Sequence, residues 1–279
     1  MLNYYSALLL VFGGLGATFF AFTLLFELRK KRFLHEIETL PFSEQFEAVV
    51  KKIPHYQKLS SADQKQIQRS ILRFIYTKEF IGVYMEVTEE IKLVIAFYAS
   101  LLLVHKGPHN CYENLKTIII YPHPVINKEV KSYGGIYTKE QFMLAGQSSN
   151  DTVVITWHQA KREAYHMRHN NVMIHEFAHE IDFMDGEIDG VPPIEKSKYD
   201  GWVHTLNKEF NALSKISNKN RDWGKYKLLG SYAATNEAEF FAVVTERFFE
   251  SPLSLKKHFP ELYDEFMDFY QIDTVKIFG

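Results

Sequence analysis

Residues 4–26 carry no charged side chain and consist mainly of Leu, Phe, Ala and Gly. In hydrocarbon a lone segment has to satisfy every backbone N–H and C=O internally, which leaves the α-helix as its only stable form. About 20 apolar residues suffice to cross a bilayer core. The basic run Arg29-Lys-Lys-Arg32 follows the apolar stretch, and no basic side chain precedes it. A cleaved signal peptide has the opposite order and a shorter apolar core. A transmembrane helix is therefore expected, in preference to a buried core helix, which rarely runs this far without a polar face. The positive-inside rule sets the N-terminus outside and the globular part in the cytoplasm. Residues 1–33 are assigned to this helix and its basic flank, and residues 34–279 to one folded domain.

The remainder is long enough to bury a substantial core: the chain has 279 residues, 46% of them hydrophobic. A formal charge of −2 spread over mixed-sign segments offers no basic stripe for a phosphate backbone, so direct nucleic-acid binding is not expected. Cys111 is the only cysteine, which excludes an internal disulfide and favours a reducing compartment. His109 beside it is read as part of a polar loop rather than a second metal site.

Residues 34–106 read as helical. Ser61 or Asp63 caps an amphipathic repeat through Ile67, Ile71, Phe74 and Ile75, and Thr88 opens a helix that becomes almost wholly apolar over residues 93–104. Gly107-Pro108 breaks the pattern and starts the second part, residues 107–279. The β-branched run Thr117-Ile-Ile-Ile-Tyr121 reads as a strand, residues 133–150 as turn-rich, and residues 152–157 as a further strand in a small mixed sheet. Helix returns from Asn236. The expected class is α+β and mostly helical.

Within residues 170–182, His175 and His179 lie four positions apart on a helical pattern, so both imidazoles leave one face a turn apart. Glu176 follows the first histidine and is placed to take a proton from water attacking a carbonyl. This is the HExxH arrangement, and its flanks Val172, Met173, Ile174, Phe177 and Ala178 are apolar. A pair of structural histidines is the competing reading.

Catalytic zinc takes three protein ligands and keeps an open position, so another donor is required. Asp185 is the near candidate, ten positions after His175, but the sharp turn that geometry needs falls on Asp182 where a glycine is usual. The distant candidates are Glu237, Glu239 and Glu246 in a helix capped by Asn236. Glu239, set among Ala238, Phe240, Phe241 and Ala242, would be costly to bury without a cationic partner.

At these residues the chain resembles the Mlc titration factor A family of zinc peptidases. His175-Glu-Phe-Ala-His179 with Asp182, Met184-Asp-Gly and Asp189-Gly-Val-Pro-Pro193 match one family block, and Ala234-Thr-Asn-Glu-Ala-Glu-Phe-Phe-Ala242 matches a second. The second block is also similar to the catalytic domain of anthrax lethal factor. The resemblance implies a zincin-like peptidase domain of the gluzincin type with one Zn2+ per chain. It implies that His175, His179 and Glu239 are the metal ligands, that Glu176 is the base, and that Tyr232 donates to the developing oxyanion. Asp182 is expected to orient a ligand imidazole. The resemblance implies a peptidase of aminopeptidase type acting on peptides or proteins, and the N-terminal helix, a departure from the family, makes the expected function that of a membrane-anchored peptidase. The alternative is a membrane-tethered regulatory protein that binds a transcription regulator or another partner, with a mainly structural zinc site.

Overall fold

The computed structural model describes residues 4–106, 112–124, 151–167, 170–219 and 222–279. His109, Cys111 and the turn-rich residues 133–150 lie outside the described residues. The chain divides into two units, Met1–Pro41 and Phe42–Gly279.

The first unit is a single helix, α1 (Tyr4–Glu38), which continues without a break through the basic run. Phe12, Leu15, Phe19, Phe20, Phe22 and Phe26 are all exposed. The segment Phe12–Ile37 is long and apolar enough to cross a membrane. Past the apolar part, Arg32 pairs with Glu36 one turn on, at 3.0 Å.

The second unit opens with helices α2 (Glu44–Val50), α3 (Pro54–Lys58) and α4 (Ser61–Thr77). The cap of α4 is Ser60, one residue before the expected position. Its hydroxyl accepts from the Asp63 N–H and donates to the Asp63 carboxylate. Strand β1 (Glu79–Gly82) follows and interrupts a stretch expected to be helical throughout; four residues are too few to display an alternating pattern. Helix α5 (Glu89–Leu102) begins at the expected cap, Thr88, and is buried along nearly its whole length. Strands β2 (Thr117–Tyr121) and β3 (Thr152–Thr156) complete a sheet in the order β1-β2-β3.

Both strand pairs are parallel, with Ile118 opposite Val153 and Ile120 opposite Ile155. Among the described residues the sheet is therefore parallel rather than mixed. Parallel neighbours cannot be joined by a hairpin, and α5 is the crossover that carries the chain from β1 to β2.

Helices α6 (Trp157–Ala164), α7 (Val172–Asp182), α8 (Lys196–Lys219) and α9 (Glu237–Glu250) follow. Helices α10 (Pro252–His258), α11 (Pro260–Tyr270) and α12 (Thr274–Phe278) close the domain. Helix α7 is central, packed against β3, α5 and α9. Its apolar residues Met173, Ile174, Phe177, Ala178 and Ile181 form one face. There the Phe177 ring meets Phe74 edge-on at 5.6 Å and Tyr112 at 5.3 Å. That grip leaves the opposite face, with both histidines, turned to α9.

Ile174 is fully buried on this face. Truncation by Ile174→Ala is expected to cost about 2–5 kcal/mol, the usual range for opening a cavity of that size. Denaturant unfolding of the purified protein measures it, and an unchanged midpoint would contradict close packing beneath α7.

Candidate metal centre

The start of α7 is held by an unusually complete set of acceptors. The Asn171 side-chain oxygen accepts from the Met173 and Ile174 N–H groups, and Glu163 of α6 accepts from the Val172 N–H at 2.7 Å. The Asn171 N–H itself donates to Glu246 of α9 at 2.9 Å. The free donors of a helix N-terminus are thus satisfied, and two buried carboxylates lie at its positive end. One turn further on, His175 and His179 project together.

Glu239 of α9 meets them there. The Asn236 side chain caps α9 by accepting from the Glu239 N–H at 2.8 Å, which fixes the first turn that carries the carboxylate. Glu239 Oε2 lies 3.0 Å from His175 Nε2 and 3.4 Å from His179 Nε2, and the two Nε2 atoms are 3.2 Å apart. One donor atom from each of the three residues falls within 4.8 Å of the others. Protons alone fill the cluster only if both Nε2 atoms donate to the one Glu239 carboxylate, which leaves two like donors 3.2 Å apart. Two imidazoles and a carboxylate are instead a donor set that a divalent metal takes with one position left open. The side chains of His175 and Glu239 are 1% and 6% exposed and that of His179 is 16%, so solvent reaches the cluster past His179.

The electrostatics follow from this crowding. Burial opposes protonation of His175, but the hydrogen bonds and charges of Glu239 and Glu246 outweigh it, and its pKa is pushed up to about 10. Burial likewise opposes ionisation of Glu239, and the two histidines overcome it, holding the carboxyl well below the usual range. Tyr232 lies in a short 3-10 turn (Tyr232–Ala234), half-buried, with its ring 5.7 Å from that of His175. Burial and the charges of Glu239, Glu176 and Glu246 raise its pKa, so the phenol stays protonated. Its hydroxyl is buried without an aligned hydrogen-bond partner. Glu176 is half-buried on α7, within electrostatic reach of that phenol.

Asp185 does not join the cluster. It is exposed, and its carboxylate accepts from the Glu187 N–H. Glu237 is exposed as well. Asp182 makes no hydrogen bond to a histidine among the described residues; both of its oxygens accept from the Gly190 N–H, at 2.9 and 3.1 Å. Burial raises its pKa to about 7 against the pull of that bond. Its role is to strap the Asp189-Gly-Val-Pro-Pro193 loop to the end of α7. Gly190 O then accepts from Trp202 Nε1 of α8.

Residues 25–271 match the family described as glucose-regulated metallo-peptidase M90. The chain belongs to that metallo-peptidase family. An uncharacterized protein of Synechocystis sp. is 30% identical over 246 residues, which span 84% of this chain and 86% of the relative. Mlc titration factor A of Klebsiella pneumoniae is 29% identical over 229 residues, 80% of this chain and 84% of that protein. Mlc titration factor A of Serratia proteamaculans is 28% identical over 225 residues, 78% and 84% of the two chains. The resemblance drawn from the two sequence blocks thus extends over most of this M90 chain.

Sequence reasoning named Glu246 only as one carboxylate of its helix, and overlooked Asn171, Glu163 and Glu250. The seven-position interval from Glu239 to Glu246, two helical turns on one face, is the signal that could have drawn attention to the second. Gly190 is also fixed by the site. Its φ is +82°, and a Cβ there would lie 2.6 Å from the Glu237 carbonyl oxygen, two residues before Glu239. Gly190→Ala is therefore expected to cost about 1–3 kcal/mol from backbone strain and to lower metal occupancy, read by thermal unfolding and by metal analysis. Wild-type values for both would overturn this account of the loop.

Proposed function

We propose that the chain is a membrane-anchored, zinc-dependent peptidase of the gluzincin type. His175, His179 and Glu239 are the ligands of one zinc ion, and Glu176 and Tyr232 are its catalytic groups. The observation that carries the reading is the convergence of His175 Nε2, His179 Nε2 and Glu239 Oε2 on the helix that also bears Glu176. A zinc ion held there supplies a Lewis acid that polarises a scissile carbonyl and makes water a better nucleophile. Glu176 takes the proton from the attacking water and returns it to the leaving amine, general base and then general acid. Tyr232, kept protonated by burial and by neighbouring carboxylates, donates its hydroxyl hydrogen to the carbonyl oxygen as negative charge develops there.

Anchoring rests on α1, whose large apolar side chains from Phe12 to Phe26 are exposed and whose basic run Arg29–Arg32 follows the uncharged stretch. The same run sets the peptidase domain on the cytoplasmic side. Protease protection of a C-terminal tag in intact spheroplasts, with digestion after lysis, is the expected result.

A second reading follows from the name of several relatives, Mlc titration factor A: this chain binds a regulatory protein, and the metal serves structure. The two readings separate at Glu176. Purified protein is expected to hold about one zinc per chain. Glu176→Gln should keep that zinc and lose about 10²-fold or more in peptide hydrolysis, measured on aminoacyl nitroanilides and on internally quenched peptides. Undiminished hydrolysis would sink the catalytic assignment, and full biological effect of the variant in cells would favour the regulatory reading. Chelation should lower the unfolding temperature and zinc should restore it, since a ligand bound only by the folded state stabilises by about 2.7 kcal/mol at 100 times its Kd.

A further inference from the structure

Glu246 is as deeply buried as the proposed ligands, its side chain only 2% exposed, yet it lies outside the donor cluster. Its two oxygens are engaged separately. Oε1 is 2.8 Å from His175 Nδ1, and Oε2 accepts from the Asn171 N–H at 2.9 Å. The first contact bears on one imidazole. The second bears on the residue that caps the helix carrying it.

Asn171 extends the connection. Its side-chain oxygen caps α7, and its amide donates to Glu250 Oε1 at 2.8 Å. Glu250 lies one turn beyond Glu246 on α9, as Glu246 lies two turns beyond Glu239. A single face of α9 thus carries a cluster carboxylate at one end and two carboxylates that clasp the start of α7 at the other. Arg247 Nη1, 3.8 Å from Glu246 Oε2, offsets part of the buried negative charge.

The two imidazoles are held differently. His175 has an acceptor at Nδ1, whereas His179 Nδ1 is buried without a hydrogen-bond partner. An imidazole whose Nδ1–H is donated to a carboxylate presents its Nε2 lone pair, and its ring plane is set by the same bond. The first histidine is therefore the oriented one, and the carboxylate that orients it is also the one that fixes where α7 begins.

We propose that Glu246 is the positioning residue of the metal centre: it sets the tautomer and plane of His175 and, through Asn171, holds α7 and α9 in the register that brings Glu239 to the histidines. This deepens the zinc reading above and rests on it.

The test compares wild type, Glu246→Ala, Glu246→Gln and His175→Ala as full-length protein in detergent. Zinc affinity is read by competition with a chromogenic chelator, and site geometry by the visible absorption of the Co2+-loaded protein. Loss of such an outer partner typically lowers affinity about 10–100-fold, which is the drop expected for Glu246→Ala, with an altered cobalt spectrum. Glu246→Gln retains an oxygen for one of the two contacts but sets an NH2 against a donor at the other. It should fall between wild type and Glu246→Ala. A purely structural glutamate would lower the unfolding temperature and leave the cobalt spectrum and zinc affinity unchanged; that result overturns the proposal. If Glu246→Ala does not fold, the near-isosteric Glu246→Gln decides on the same two readouts. A wild type that takes up no zinc, or one whose affinity survives His175→Ala, overturns the metal reading and this proposal with it. Zinc binding abolished by His175→Ala but unmoved by Glu246→Gln overturns this proposal alone.

Discussion

Glu246 accepts from the His175 ring and from the Asn171 backbone at once, and both bonds form only when α7 and α9 lie in one register. Apolar burial alone does not impose such a choice, because it is non-directional and tolerates a helix sliding or turning by part of a residue. Helix α9 is buried from Ala238 to Glu250. Its three buried glutamates, Glu239, Glu246 and Glu250, therefore cannot turn to water, and a buried charge left without a partner costs several kcal/mol. Each finds its partner on α7 or at its cap: Glu239 at the histidines, Glu246 at His175 and Asn171, Glu250 at the Asn171 amide. The polar contacts specify the pairing of the two helices, and the hydrophobic surroundings supply most of the free energy that holds it.

Those surroundings act on the other side of α7. The sheet and α5 grip its apolar face, with Phe177 seated between Phe74 and Tyr112. Pinned on one side by close packing and on the other by carboxylates, α7 has little freedom left. Its far end is fixed by a separate device, the Asp182–Gly190 strap, which presses the loop against the first turn of α9 so closely that only glycine fits. The two helices are thus joined at both ends of the histidine pair. A metal-binding constellation tolerates errors of only about half an ångström, and a site assembled from residues 64 positions apart in the chain needs such double support.

Legibility in the sequence divides along the same physical line. Whatever depends on local pattern could be read: the helical spacing of His175 and His179, the caps at Thr88 and Asn236, the β-branched strand at 117–121 and the uncharged helix at the N-terminus. Whatever depends on which surfaces meet could not. Strand β1 is too short to show a period, and the parallel sheet follows from a crossover that strand composition does not encode. Asp182 shows the difference most clearly. Its spacing from His179 suits an orienting carboxylate, yet its oxygens are taken by a loop glycine, and the orienting carboxylate comes from α9 instead. Position along one helix says which face a residue occupies, but the partner facing it belongs to tertiary structure.

The distribution of unsatisfied polar atoms points the same way. Among the described residues five buried side-chain polar atoms lack a hydrogen-bond partner, and three of them, His179 Nδ1, Tyr232 OH and Arg247 Nη1, belong to the candidate metal centre or to the residue beside Glu246. A buried polar atom without a hydrogen bond costs about 1–3 kcal/mol, and at positions packed as closely as these apolar side chains would have been the more stable choice. Stability therefore does not explain why these groups occupy this part of the core. Burial and the surrounding carboxylates Glu239, Glu176 and Glu246 keep the Tyr232 phenol protonated, so it stands among them as a hydrogen-bond donor and adds no further negative charge. The carboxylate clasp between α7 and α9 gathers these groups at one place, and the apolar packing around it supplies the free energy that keeps them there.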